Sequence, residues 1–188
     1  MVFLDESGFS LKPSVHRTWA PRGQTPKLEH RFNWKRLNAI GSLVCDPEGT
    51  HPDLILHLQD KSIKEDAVIA YLEALHRQVP GPLDLLWDHL PAHRSQKVQD
   101  YLAANTDWLV VHWFPGYAPE LNPIEYFWSA LKGKPLANLA PDRVEQLQKV
   151  IERAHRRARK QTQLLQEFLI ASKLYTKELL VKTSGESQ

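Results

Sequence analysis

Residues 114–132 read FPGYAPELNPIEYFWSALK, and the position of one acid within them, Glu125, governs how the whole chain is interpreted. Asn122 followed by Pro123 is a helix start, because proline's fixed φ suits the first helical position and its missing N–H is not needed there. Asn122 then stands as N-cap and Glu125 at the third helical position, the spacing of a capping box. A first-turn acid is also favoured by the helix dipole. Taken alone, the spacing favours a cap; the same position also lets a carboxylate be aimed at something outside the helix.

Upstream, LLWDHLPAHRS (residues 85–95) contains an apolar run, Leu83 to Trp87, that stops at Asp88. The segments from Arg94 to Asn105 and from Trp108 to Phe114 then read as a helix and a second apolar strand, a strand–helix–strand order that suggests a parallel crossover. Before them lie Val2 to Leu4, a short buried strand expected to end at Asp5 and Glu6, and the strands Leu37 to Cys45 and Leu54 to Leu58 with a turn at Asp46, Pro47 and Gly49. These form an antiparallel meander. Ser62 and Glu65 have capping-box spacing ahead of an amphipathic helix that Pro80 and Gly81 stop. Downstream, Val144, Leu147, Ile151, Ala154, Ala158 and Leu165 keep a helical period, so one long helix is expected from about Pro141 to Ser172. The expectation is an α/β chain: a mixed sheet, antiparallel then parallel, flanked by helices. A core over 1–135, a helical C-terminal extension of the same domain over 136–182 and a frayed tail at 183–188 complete it.

The totals agree with one soluble domain. The chain has 188 residues, 42% hydrophobic and 24% charged, with a formal net charge of +2. That balance is ordinary for a globular protein, and so mild a charge neither indicates nor excludes nucleic acid. The one cysteine, Cys45, forms no internal disulfide and suits a reducing compartment. No apolar run reaches the length of a membrane span and the N-terminus lacks a secretory pattern, so no membrane contact and a cytoplasmic location are expected.

Asp5, Asp88 and Glu125 therefore sit at the edges of regular elements, far apart in sequence. Gathered at one rim of a sheet, three carboxylates repel unless cations neutralise them, and hard oxygen ligands suit Mg²⁺ or Mn²⁺. Each acid also has a plainer reading, as a turn residue, a loop acid or a cap. Glu6 points to the opposite face from Asp5 in a regular strand, so at most one of the two joins such a cluster.

The segments VFLDESGF, TWAPRGQTP, LLWDHLPAHRS and PGYAPELNPIEYFWSALK, in this order, resemble the catalytic domain of DDE-superfamily transposases, of the mariner-like bacterial insertion-sequence group. The resemblance covers roughly residues 1 to 135, and its last motif is the most specific. It implies a ribonuclease H-like fold, two divalent metals held by Asp5, Asp88 and Glu125, and DNA nicking at transposon ends followed by strand transfer into target DNA. Asp88 and Glu125 lie 37 positions apart, similar to the compact spacing of the group. Where that family usually carries Asn after its second Asp, this chain has His89.

Around the acids, His93 is expected to support a carboxylate from behind, with His89, Asn122 and Lys132 as further candidates to orient a carboxylate or contact a phosphate. Two basic sets are candidate DNA contacts: Lys149, Arg153, Arg156, Arg157 and Lys160 along the long helix, and Arg31, Lys35 and Arg36 interleaved with Phe32 and Trp34. Both sets also fit a solvated surface. The family's usual N-terminal helix-turn-helix has no counterpart here, so a separate helix-turn-helix chain is an expected partner, beside transposon-end and target DNA and further copies of the chain in the active complex. A second reading frame, a truncated copy, a non-cutting remnant that binds DNA or a partner, and another ribonuclease H-like nuclease all remain open at this point.

Overall fold

The architecture follows from alternation along the first strand. In a computed structural model, which describes residues 1–30, 34–116 and 118–176, β1 (Val2–Ser10) lies at the centre of a five-stranded sheet. β2 (Arg36–Val44) and β3 (Asp53–Gln59) continue from it as an antiparallel meander, while β4 (Leu83–Trp87) and β5 (Leu109–Trp113) add parallel strands on its other side. The sheet order is β3-β2-β1-β4-β5. This is the mixed sheet expected from sequence.

Side chains that alternate along β1 separate two cores. Phe3 and Phe9 pack with α3 (Pro123–Gly133), α4 (Val144–Arg159) and α5 (Thr162–Ala171) on one face. Val2 and Leu4 pack with α1 (Glu65–Gln78) and α2 (Gln96–Ala104) on the other. Phe3, Leu4, Leu43, Leu54, Leu72 and Leu85 are wholly or almost wholly buried. Each such side chain contributes about 1.5–3 kcal/mol relative to exposure, which fixes which way every neighbouring residue on β1 points.

Several boundaries differ from the sequence reading. β1 does not stop at Asp5 and Glu6 but continues to Ser10, because β2 pairs with it along its full length, Asp5 opposite Gly41 and Glu6 opposite Ile40. The Ser62–Glu65 capping box does not form. Lys64 is the N-cap of α1 and provides no side-chain cap; Gln59 Nε2 donates instead to the carbonyls of Lys61 and Ser62, holding that stretch outside the helix. The single helix expected over 141–172 is two. α4 ends at Arg159, Lys160 caps it, and Gln161 leaves helical geometry before α5 begins, which turns Leu165, Phe168 and Leu169 into the core shared with α3. Arg31 and Phe32, and the tail from Thr183, lie outside the described residues. Among the described residues no helix is long and apolar enough to cross a membrane.

Candidate active site

β4 ends at Trp87 while β1 continues past it, and this mismatch opens the site. The last parallel pairing joins Phe3 to Leu86, so beyond it the β4 side of β1 is free for other groups. Asp5 lies just past that point and Asp88 follows Trp87 directly. On the same side of the sheet, the first turn of α3 brings in Glu125. Asp5, Asp88 and Glu125 thus line one cleft of about 440 Å³, together with His89, Phe114, Asn122 and loop residues that include Pro115 and Pro119. Among the described residues no three His, Cys, Asp or Glu side chains are gathered tightly enough to form a ready-made metal cage. The three acids line an open cleft.

Asp5 is the deepest of the three, 8% exposed. Burial, and then the negative charges of Glu125, Glu6 and Asp88, push its carboxyl up from 3.8 to about 8, against the pull of the Glu6 backbone N–H. Its Oδ2 accepts the indole N–H of Trp128 at 2.9 Å.

Asp88 is held from the side opposite the cleft. Its Oδ1 contacts His93 Nδ1 at 2.6 Å and accepts the backbone N–H of Leu90 at 3.2 Å. His93 itself is 1% exposed, stacks on Trp87 at 3.7 Å, and places Nε2 3.0 Å from both carboxyl oxygens of Glu6. Burial alone lowers a histidine's pKa; here the bonds to Asp88 and Glu6 outweigh it and raise His93 from 6.5 to about 9. It is an imidazolium at neutral pH, donating from both ring nitrogens to two acids. Glu6, on the face opposite Asp5 as alternation requires, therefore supports the site from behind.

Glu125 sits at the third position of α3, but the reciprocal capping box is absent. Asn122 Oδ1 accepts from Ile124 N at 3.4 Å, and the Asn122 backbone N–H goes to the Pro119 carbonyl at 3.0 Å. The donor that a capping glutamate would satisfy is already taken, which leaves the Glu125 carboxyl to the cleft. Asn122 Nδ2 also donates to the Leu4 carbonyl at 3.0 Å, tying the start of α3 to the residue before Asp5.

The remaining candidates are distributed more widely. His89 lines the cleft and stacks on Trp113 at 4.8 Å. Lys132 lies two turns along α3, with Nζ 5.7 Å from the centre of the Phe9 ring and away from the acids. Lys149, Arg153, Arg156 and Arg157 are exposed on α4 and Lys160 follows at its end; Arg153 and Arg157 border a groove formed with α3 and α5. Lys35 and Arg36 stand at the start of β2, on the far side of β1 from Asp88. Glu6 and Trp128 are absent from the set read from sequence. Strand alternation places Glu6 on the opposite face and says no more, and the one hint for Trp128 is its place three residues after Glu125, on the same side of the helix.

The profile of the DDE superfamily endonucleases matches residues 1–148. The chain belongs to this family. Among solved structures, the Mos1 transposase paired-end complex with left transposon end is similar at 18% identity and a TM-score of 0.60, over 93% of this chain and 55% of that one. The Mos1 mariner paired-end complex with Mn matches at 19% identity and TM-score 0.59, over 94% and 56%. The catalytic domain of Mos1 mariner transposase matches at 16% identity and TM-score 0.54, over 94% and 83%. At such identities the likeness is one of fold, and the fold is the ribonuclease H-like one of these transposases. The chain spans about half the length of the transposases in the two complexes. No curated protein matches it.

Proposed function

We propose that the chain is a transposase catalytic domain that cleaves DNA at transposon ends and joins them to target DNA, with Asp5, Asp88 and Glu125 as ligands of divalent cations. The observation that carries this reading is the convergence of three acids from β1, the end of β4 and the start of α3 on one open cleft, in a member of an endonuclease family. The donor set suits Mg²⁺ or Mn²⁺: all oxygen, few ligands and room for water and phosphate. The Mos1 complex with Mn supports the same choice. Two such ions, when bound, activate an attacking water or DNA 3′-hydroxyl and stabilise the leaving oxygen of an in-line displacement.

The chain's own residues do the positioning. His93 holds Asp88 against Glu6, the first turn of α3 aims Glu125, and Asn122 keeps that turn against β1. His89 at the cleft wall is placed to meet a phosphate or an incoming base. The exposed cations of α4, with Lys35, Arg36 and Arg31, serve as phosphate contacts along the duplex, and further copies of this chain complete the active complex.

Nicking of supercoiled plasmid tests the reading. Product is expected with Mn²⁺ or Mg²⁺ and none in Glu125→Gln. Retention of DNA with no metal-dependent product would make the chain a binding remnant, and cleavage of RNA in a hybrid would make it a different nuclease.

A further inference from the structure

Trp128 is among the largest fully buried side chains of the protein, 1% exposed. A buried indole N–H needs an acceptor, and the fold does not supply one automatically: Trp87 Nε1, equally buried, has none among the described residues. The N–H of Trp128 goes to Asp5, 2.9 Å from Oδ2.

Three positions cooperate in that contact. Trp128 is one helical turn after Glu125 on α3. Asp5 lies on β1, and its direct cross-strand partner on β2 is Gly41. A Cβ at residue 41 would come within 2.6 Å of Trp128 Cη2 and 2.8 Å of Cζ2, distances no side chain tolerates. The bare backbone opposite Asp5 is therefore what admits the indole and brings its nitrogen under the carboxyl. The ring edge seated on Gly41 and the N–H directed at Asp5 belong to the same indole, so one side chain supplies both the packing and the donor.

We infer that Trp128 is a positioning residue for the metal site: its indole N–H, seated on Gly41, fixes the rotation of the Asp5 carboxyl and links it to the helical turn that carries Glu125. The inference rests on the reading of Asp5 as a metal ligand. Hydrogen-bond partners of metal-binding carboxylates set ligand orientation, and losing one weakens metal binding by about 10- to 100-fold.

Mn²⁺ titration of the full chain by calorimetry gives the test, with no need for activity. Trp128→Phe keeps an aromatic side chain but removes the donor together with the ring edge seated on Gly41, and its Kd for Mn²⁺ is expected to rise at least about ten-fold. Gly41→Ala keeps the donor but crowds the indole away, and is expected to weaken binding likewise; it decides the matter if Trp128→Phe fails to fold. In the parent protein, the indole ¹H–¹⁵N resonance of Trp128 is expected to shift on Mg²⁺ addition and to saturate with the ion. An unchanged Kd in a folded Trp128→Phe, or in Gly41→Ala where that variant does not fold, overturns the inference, as does a resonance indifferent to Mg²⁺. Asp5→Asn separates the two levels. If it binds Mn²⁺ as the parent does, the ligand assignment itself falls; if it loses the ion while Trp128→Phe keeps it, only the role of Trp128 does.

Discussion

Asp5 and His93 both titrate in the folded chain well away from where they do in the unfolded one, and in the same direction. Between 3.8 and about 8 the folded protein holds a proton on Asp5 that the unfolded chain has released, so stability falls as pH rises across that interval. His93, raised from 6.5 to about 9, contributes stability that is full below 6.5 and lost as pH rises through 9. The melting temperature of the protein in EDTA is therefore expected to drop from pH 6.5 to pH 9, as measured by circular dichroism. Glu6→Gln removes one of the two acids facing His93 and should make that drop shallower between pH 6.5 and 9; an unaltered profile would detach His93 from it. With Asp5 as a metal ligand, the ion must displace the proton, so the apparent affinity for Mn²⁺ should climb with pH and level off above about 8.

At the scale of elements, the start of α3 carries two jobs on one side chain. Asn122→Ala removes the cap on Ile124 and the bond to the Leu4 carbonyl. A lost N-cap costs about 0.5–2 kcal/mol, and a lost hydrogen bond adds roughly 1 kcal/mol more. Urea unfolding should show a lower midpoint at unchanged slope, and plasmid nicking should fall with it as Glu125 drifts. This helix was legible in the sequence because Asn-Pro is a local signal that tertiary contacts had no cause to override. The end of β1 was not: two acids after an apolar run read as a strand end, whereas the pairing of β2 along the whole strand is a long-range fact that no window around Asp5 contains. The break between α4 and α5 was hidden for a similar reason. It has no proline or glycine, and only the packing of Phe168 and Leu169 into the core with α3 demands it. The three acids and His93 could be named from the sequence, but Glu6 and Trp128 could not, since His93–Glu6 and Trp128–Asp5 join residues 87 and 123 positions apart.

Across the whole molecule the mild net charge conceals an uneven surface. Arg153 and Arg157 of α4 border the groove with α3 and α5, whereas the acids lie in the cleft at the other end of α3. If the α4 cations follow a DNA backbone, replacing Arg153 and Arg157 with alanine should flatten the plot of log affinity against log salt by about 0.9 for each phosphate no longer neutralised, as fluorescence anisotropy can measure, without altering Mn²⁺ binding. The order in which the pieces emerge from the ribosome then acquires meaning. Asp5 is synthesised 123 residues ahead of Trp128, and Glu125 only one helical turn before that tryptophan. A growing polypeptide has no complete proposed site until that late helix has been made and has closed onto the first strand.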